Sequence, residues 1–249
     1  MNPYLKHLEK IEFVLTRACT GRCKHCSQGD HPGNAAHLDP RCCADLVRQV
    51  AGRFPIRTVM VFGGEPLLFP RAAAQILSAA RDAQVPHRQL ITNGYFTHSE
   101  KALKSTVSLL AESGVNDLLL SVDAFHQETI PLETVRTFAL LVKEAGIPLR
   151  LQPAWLRSPE DPNPYNEKTR SLLQSFASNG FPVGSGNVIF SEGNATRYLA
   201  EYFTDTVPEN PYRENARDLR TLSVDSDGTV LGGNLYETDI LELIASYDP

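Results

Sequence analysis

The stretch that decides the fold is residues 12–26, EFVLTRACTGRCKHC. It begins with a short apolar run at Glu12–Thr16, which is typical of a β-strand. The chain then passes directly into three cysteines, Cys19, Cys23 and Cys26. Thiolates bind zinc and iron–sulfur clusters well, and this spacing lets one loop wrap a compact metal centre. A structural zinc site usually needs four ligands in paired form, and the sequence has no second CxxC pair. The stretch therefore predicts a strand followed by a three-thiolate metal loop.

Downstream of this loop, short apolar runs alternate with helical patterns. The predicted strands are residues 12–16, 58–62, 89–92, 117–123, 148–152 and 187–190. The predicted helices begin at residue 40 and then cover residues 70–81, 101–112, 132–145, 165–178 and 196–203. This alternation indicates parallel strands flanked by helices, and right-handed crossovers curl such a sheet toward a barrel. We expect an α/β fold, a partial (β/α)6 TIM-like barrel, with its site at the carboxyl ends of the strands.

The last part of the chain has a different pattern. Leu222–Val224, the turn Asp225–Gly228 and Thr229–Leu231 predict a β-hairpin. We therefore expect two units, a barrel domain at residues 1–205 and a C-terminal extension with a short hairpin at residues 206–249.

Composition excludes several classes of protein. The chain has 249 residues, 42% of them hydrophobic, and a net charge of -5, which argues against disorder and against a nucleic-acid partner. No apolar run is long enough to span a membrane, and the start of the chain lacks an apolar signal core, so we expect a cytoplasmic protein without a membrane partner. The five cysteines, an odd number, favour metal binding or catalysis over disulfides.

The cysteine spacing and three motifs at strand ends resemble the radical S-adenosylmethionine (radical SAM) enzymes. CxxxCxxC after the first strand is the strongest part of the resemblance. Phe62–Pro66 is similar to the GGEP motif of that family, Thr92–Gly94 is a common variant of its third motif, and Ser121–Asp123 ends the fourth strand. The resemblance covers residues 10–195, and its elements follow successive strands in the expected order.

The resemblance implies one [4Fe–4S] cluster held by Cys19, Cys23 and Cys26, with SAM bound at the open iron. His25 stands where the family often has an aromatic residue near the adenine. Glu65 is suited to accept a charge-assisted hydrogen bond from the SAM amino group, and adjacent glycines allow close backbone approach. The full set of expected SAM contacts is His25, Gly63, Gly64, Glu65, Asn93, Ser121, Asp123 and Gln152.

The activity implied by the resemblance is radical chemistry. In the family, a reduced cluster cleaves SAM to methionine and a 5′-deoxyadenosyl radical, which abstracts hydrogen from the substrate. The cofactors carry this chemistry while the protein orients them. By analogy we expect an electron donor such as flavodoxin or ferredoxin, and a peptide or small-molecule substrate.

The C-terminal hairpin is similar to one in cofactor-maturing and peptide-modifying relatives, where a cysteine often follows it and binds an auxiliary cluster. Gly232 and Gly233 stand at that place here, and no cysteine follows Cys43. We therefore expect a single cluster, a C-terminal extension that is a remnant without a cluster, and a slight preference for a peptide substrate.

Two residues are weak candidates for a catalytic contact. His126 follows the fourth strand and is either a substrate or cofactor contact or a solvated loop residue. Arg150 could bind the SAM carboxylate or an acidic substrate group, or form a salt bridge in the lumen. Polar residues inside a barrel are costly unless they line a wet or ligand-filled cavity, so the polar faces of the fourth and fifth strands predict a polar lumen.

The remaining motifs have plainer interpretations. Cys43 is expected to be buried on the apolar face of its helix, with Cys42 at the edge, although either could donate a hydrogen atom to a substrate radical. Ser191–Ala195 resembles a GRA-type turn of the family, with asparagine in place of arginine.

Two other functions remain open from the sequence alone. The first is an activase that installs a glycyl radical in a partner enzyme, since such activases are similarly short and also carry CxxxCxxC. The second is a non-catalytic iron–sulfur or zinc module, which has no use for the motifs at the other strand ends.

Overall fold

The computed structural model describes residues 2–32, 36–203 and 209–249. Its strands are β1 Lys10–Val14, β2 Thr58–Phe62, β3 His87–Thr92, β4 Asp117–Ser121, β5 Leu149–Gln152, β6 Ala154–Trp155, β7 Asn187–Val188, β8 Thr221–Val224, β9 Thr229–Val230 and β10 Gly233–Asn234. Its helices are α1 Pro40–Ala51, α2 Pro70–Asp82, α3 Glu100–Ser113, α4 Leu132–Glu144, α5 Pro164–Gln174, α6 Asn194–Tyr198 and α7 Ile240–Ser246. The first five β–α units therefore fall where the sequence predicts them.

Among the described residues, six strands form one parallel sheet in the order β5-β4-β3-β2-β1-β8. Within the described residues β5 and β8 are the two edges of this sheet and do not pair with each other, so the sheet is open, as expected for a partial barrel. Side chains alternate across each strand, so one face of β5 buries Leu149 and Leu151 in the hydrophobic core while Arg150 and Gln152 face the lumen. All six strands end on the side where the cysteine loop begins.

Local sequence signals set the helix starts. Asp39 caps α1 by accepting a hydrogen bond from the backbone N–H of Arg41 at 2.8 Å, and Pro40 occupies the first turn. Ser99 caps α3 in the same way through the N–H of Ala102. Of the described helices, none is long and apolar enough to cross a membrane.

The sixth predicted strand is present, but it is shorter than predicted and lies outside the main sheet. Residues 187–190 contribute only β7, which pairs with β6 in a separate two-stranded sheet. The sixth strand of the main sheet is β8, which lies parallel to β1. An open strand edge is stabilised by a partner, and β8 supplies one with two fully buried apolar residues, Leu222 and Val224.

The C-terminal hairpin is present, but other residues form it. The turn at Asp225–Gly228 closes with a 2.8 Å hydrogen bond from Gly228 N to the Asp225 carbonyl oxygen. β8 then remains with the main sheet, and β9 pairs with β10 instead. The predicted boundary between residues 205 and 206 lies outside the described residues.

Candidate active site

The three cysteines lie in the loop after β1, at the carboxyl end of the sheet. Cys23 is buried, whereas Cys19 and Cys26 are half-buried. The backbone N–H of Gly21 donates to the Cys19 sulfur at 3.3 Å, and Asn93 Nδ2 lies 3.6 Å from the same sulfur. Hydrogen bonds to sulfur are typical of cluster-ligating thiolates, and they help to set the reduction potential. The donor set therefore fits an iron–sulfur cluster.

Burial makes two of the three thiols poor free nucleophiles. Burial raises the pKa of Cys19 to about 12, and burial also raises the pKa of Cys26. Such thiols stay protonated on their own and lose the proton when a metal binds. Sequence reasoning missed one neighbour, His31, whose Nε2 lies 3.2 Å from the Cys26 sulfur and whose Nδ1 lies 2.8 Å from the Arg17 carbonyl oxygen.

The GGEP motif holds the start of the cysteine loop. Gly64 N donates to the Thr16 carbonyl oxygen at 2.8 Å, and Glu65 N donates to the Ala18 carbonyl oxygen at 2.7 Å. Gly63 has a φ of +138°, and a Cβ there would lie 2.5 Å from the Thr16 oxygen. A Cβ at Gly64 would overlap the Ala18 carbonyl. The close approach that requires glycine is thus to the chain's own backbone, and approach to SAM remains a prediction.

Glu65 connects the end of β2 to the end of β3. Its carboxylate is fully buried and accepts three hydrogen bonds of 2.8 Å, from Leu67 N, Thr92 Oγ1 and Asn93 N. Burial raises its pKa to about 7, although the hydrogen bonds partly offset that shift. Of these described contacts Oε2 receives one, so a lone pair is left for the predicted SAM amino group.

Asp123, at the end of β4, has contacts that differ from those expected. Oδ1 accepts from the backbone N–H groups of Phe125 and His126, and Oδ2 accepts from His126 Nδ1 at 2.8 Å and Ala154 N at 3.2 Å. The side chain is fully buried. The chain itself fills these acceptor sites, so a direct contact of Asp123 with SAM stays an untested prediction.

His126 meets the cysteine loop. Its ring lies 4.9 Å from the His25 ring, centroid to centroid, and the ligand atoms of Cys23, His25 and His126 all lie within 4.8 Å of one another. Burial alone would lower the pKa of His126, but the adjacent Asp123 carboxylate raises it well above its ordinary value.

His25 has the opposite electrostatic environment. Burial lowers its pKa to about 4, and its Nδ1 is buried without a hydrogen-bond partner among the described residues. The His25 ring also packs against Phe125 at 5.0 Å. A buried polar atom without a partner beside the cysteines is consistent with a ligand that completes this site.

Ser121 and Gln152 are paired across β4 and β5 at the carboxyl edge. Gln152 Nε2 donates to Asn187 Oδ1 at 3.3 Å, and the Tyr212 hydroxyl donates to the same oxygen at 2.7 Å. The sequence motifs do not single out Asn187 or Tyr212. These side chains give the lumen a polar rim, in agreement with the predicted polar lumen.

Arg150 lies toward the amino end of the lumen, away from the cysteine loop. Its Nη2 forms a 2.9 Å ion pair with Oδ2 of Asp117, the first residue of β4, and Gln89 Nε2 donates to the same oxygen at 2.5 Å. Asp117 stands at the amino end of its strand, opposite the cysteines. The salt bridge is therefore the observed alternative, and a contact of Arg150 with the SAM carboxylate or with an acidic substrate group stays an untested prediction.

Cys42 and Cys43 stand on α1, apart from the cysteine loop. Cys43 is fully buried in the hydrophobic core, as predicted, and burial raises its pKa. Cys42 is half-buried at the edge of the same helix.

The sequence profile of the Radical SAM superfamily matches residues 13–190, more than half of the chain. The chain belongs to this superfamily. It is an enzyme of the class that uses a [4Fe–4S] cluster and SAM, in agreement with the resemblance of its motifs.

Several curated relatives are GTP 3′,8-cyclases. A probable GTP 3′,8-cyclase of Sulfolobus acidocaldarius is 32% identical over 123 residues, which are 48% of this chain and 36% of that protein. The GTP 3′,8-cyclase of Chlorobaculum tepidum is 27% identical over 121 residues, 49% of this chain and 34% of that protein. A probable GTP 3′,8-cyclase of Saccharolobus solfataricus is 27% identical over 206 residues, which are 78% of this chain and 64% of that protein. The chain thus spans between 34% and 64% of the length of these relatives.

Solved structures share the fold. SuiB of Streptococcus suis, bound to SAM, aligns over 98% of this chain and 66% of its own, with a TM-score of 0.65 and 16% identity. Methylornithine synthase aligns over 95% of this chain and 82% of its own, with a TM-score of 0.51 and 13% identity. At these identities the likeness shows the fold, which is the open partial barrel.

Proposed function

We propose that this protein is a single-cluster radical SAM enzyme that abstracts hydrogen from a peptide or small-molecule substrate held in the lumen. One observation carries the proposal: the cysteine loop, the buried Glu65 and the His25–His126 pair meet at the carboxyl edge of one parallel sheet. Polar groups from separate strands that converge at this edge are typical of a barrel active site.

Each group has a proposed part in the reaction. Cys19, Cys23 and Cys26 hold the cluster, and together with bound SAM this cluster supplies the 5′-deoxyadenosyl radical. Glu65 accepts a hydrogen bond from the SAM amino group, and His25 packs beside the adenine. The remaining SAM contacts are proposed for Gly63, Gly64, Asn93, Ser121 and Gln152, while Asp123 holds His126 in place.

A single cluster is part of the proposal. The sequence has no cysteine after Cys43, and described residues 209–249 contribute β8, a small hairpin and α7 instead of a thiol site. We interpret residues 206–249 as a remnant without an auxiliary cluster. We also propose that the protein works in the cytoplasm, where thiols stay reduced, and that flavodoxin or ferredoxin supplies electrons.

The substrate class has support from two sides. SuiB, which shares the fold, has been solved bound to its precursor peptide SuiA, which supports a peptide. The curated relatives named as GTP 3′,8-cyclases support a nucleotide, and GTP is therefore the second candidate substrate. Incubation of reduced enzyme with GTP and SAM tests this candidate, since unchanged GTP would leave the peptide as the favoured class.

The central experiment is SAM cleavage by anaerobically reconstituted protein. We expect roughly four irons per chain, as one [4Fe–4S] cluster requires, and release of 5′-deoxyadenosine once dithionite is added. A cluster without any deoxyadenosine would favour a non-catalytic module, and roughly eight irons would contradict the single cluster.

A further inference from the structure

The turn that resembles the GRA motif lies on the cysteine loop. Asn194 N donates to the Cys26 carbonyl oxygen at 2.8 Å. The side-chain Nδ2 of Asn194 donates to the carbonyl oxygens of Cys23 at 3.2 Å and Gly29 at 3.3 Å. Asn194 is 7% exposed, so these bonds form away from competing water. One residue, 171 positions along the chain from Cys23, thus ties three points of the loop.

Gly193 makes this approach possible. Its φ is +56°, and a Cβ would lie 2.5 Å from the Cys26 carbonyl oxygen and would overlap the Ser27 carbonyl. A larger residue would therefore push the turn off the loop. Gly193 and Asn194 together form what we name the cluster clamp.

The clamp supplements sparse bonding within the loop. The segment from Cys23 to Gly29 has two backbone hydrogen bonds of its own among the described contacts, Cys26 N to Cys23 O at 3.3 Å and Gly29 N to Cys26 O at 3.1 Å. Asn194 adds a second donor to each of those two carbonyl oxygens. Two of the three proposed ligands therefore have their peptide groups fixed from outside the loop.

We propose that Asn194 is a positioning residue. It holds Cys23 and Cys26 in the arrangement that binds the cluster, and it thereby slows the loss of iron from the cluster. The proposal rests on the ligand assignment made above. Partners that orient metal ligands from behind contribute about 10- to 100-fold to metal affinity, and Asn194 occupies such a position through the ligands' backbone.

The variant Asn194→Asp tests the clamp with little change of shape. It replaces the donor amide by a carboxylate that repels the carbonyl oxygens of Cys23 and Gly29. Asn194→Ala removes the side chain alone and leaves the backbone bond to Cys26. A matched control exists in Asn166, which is fully buried and whose Nδ2 donates to the carbonyl oxygens of Leu156, Ser158 and Asp161 in a loop without cysteines.

Iron release from the reduced, reconstituted protein to bathophenanthroline gives the first readout, and the EPR spectrum of the reduced cluster gives the second. We expect Asn194→Asp to release iron about 10- to 100-fold faster with an altered spectrum, and Asn194→Ala to fall between it and the wild type. Asn166→Asp should lower the melting temperature while wild-type release and spectrum persist. Wild-type release and spectrum in Asn194→Asp, or equal changes in Asn166→Asp, would overturn the proposal.

Hydrogen exchange of the cluster-free protein separates this proposal from the proposed function. Asn194→Asp should speed exchange in residues 23–29, whereas unchanged exchange there contradicts the clamp. This readout needs neither iron nor SAM cleavage. A protein that never cleaves SAM would thus defeat the proposed function and leave the clamp result intact.

Discussion

Asp123 Oδ2 lies 2.8 Å from His126 Nδ1, and this fully buried carboxylate also accepts two backbone N–H groups through Oδ1. The bond fixes the His126 ring beside Cys23 and His25. It also links the segment after β4 to the cysteine loop, because Asp123, two residues beyond Ser121, orients a ring that lies beside Cys23. The pair is therefore a sensitive point at which to test the site.

The pair predicts a stability maximum at mildly acidic pH. Burial would raise the pKa of Asp123, but the adjacent His126 lowers it to about 2. The contribution of Asp123 to folding stability is therefore lost as the pH falls from the ordinary pKa of an aspartate, about 4, toward 2. Because the pKa of His126 is raised, this residue contributes fully to folding stability below about pH 6.5, and the contribution is lost as the pH rises through the raised pKa. Urea unfolding of wild type and Asp123→Asn should therefore differ most near pH 5, by about 1.5–3 kcal/mol. A difference that is equal at pH 3, 5 and 8 would contradict the coupling.

Cys23→Ala should abolish both the cluster and SAM cleavage, because the two remaining cysteines are too few ligands for a four-iron cluster. Iron content, the visible absorption of the cluster and 5′-deoxyadenosine release measure the effect. Cys42→Ala is the matched control, since Cys42 lies on α1 and is not a proposed ligand. Retained cleavage in Cys23→Ala would refute the ligand assignment.

Gly64→Ala should damage the site by displacing the backbone at Ala18, which directly precedes Cys19. We expect a loss of about 1–3 kcal/mol in unfolding free energy, as for other overpacked positions, together with poor cluster incorporation. Gly52→Ala is the control, because its φ of -72° is ordinary and its nearest neighbour would be the Arg48 carbonyl at 3.2 Å. The prediction fails if both variants take up iron equally well.

Arg150→Leu and Gln152→Leu should separate the two ends of the lumen. The two residues share one face of β5, about 7 Å apart along the strand. Removal of Gln152, at the carboxyl end, should weaken SAM binding about tenfold, the value of one hydrogen bond. Arg150 is paired with Asp117 toward the amino end, so Arg150→Leu should leave the SAM dissociation constant unchanged. Equilibrium binding of SAM to the reconstituted protein measures both, and the reverse order would reject this assignment.

Much of the sheet could be predicted from the sequence because its signals are local. Apolar runs bounded by turns specify β2 and β4 closely, and Asp39-Pro40 marks the start of α1. The sixth strand could not be found in this way. The four residue pairs between β8 and the open edge of β1 join positions more than 200 residues apart, and the local pattern of β8 predicts a hairpin instead.

The sequence by itself determined the class of chemistry, since the spacing of Cys19, Cys23 and Cys26 and the motifs at strand ends require only local chain geometry. Tertiary structure decided which neighbours serve that chemistry. Arg150 and Asp123 are polar like the other residues of the lumen and the strand ends. In the structure, however, Arg150 forms an ion pair with Asp117 at the amino end of β4, and Asp123 binds His126. Asn194 reaches the cysteine loop only because folding brings together residues 171 positions apart, and no local periodicity records such a contact.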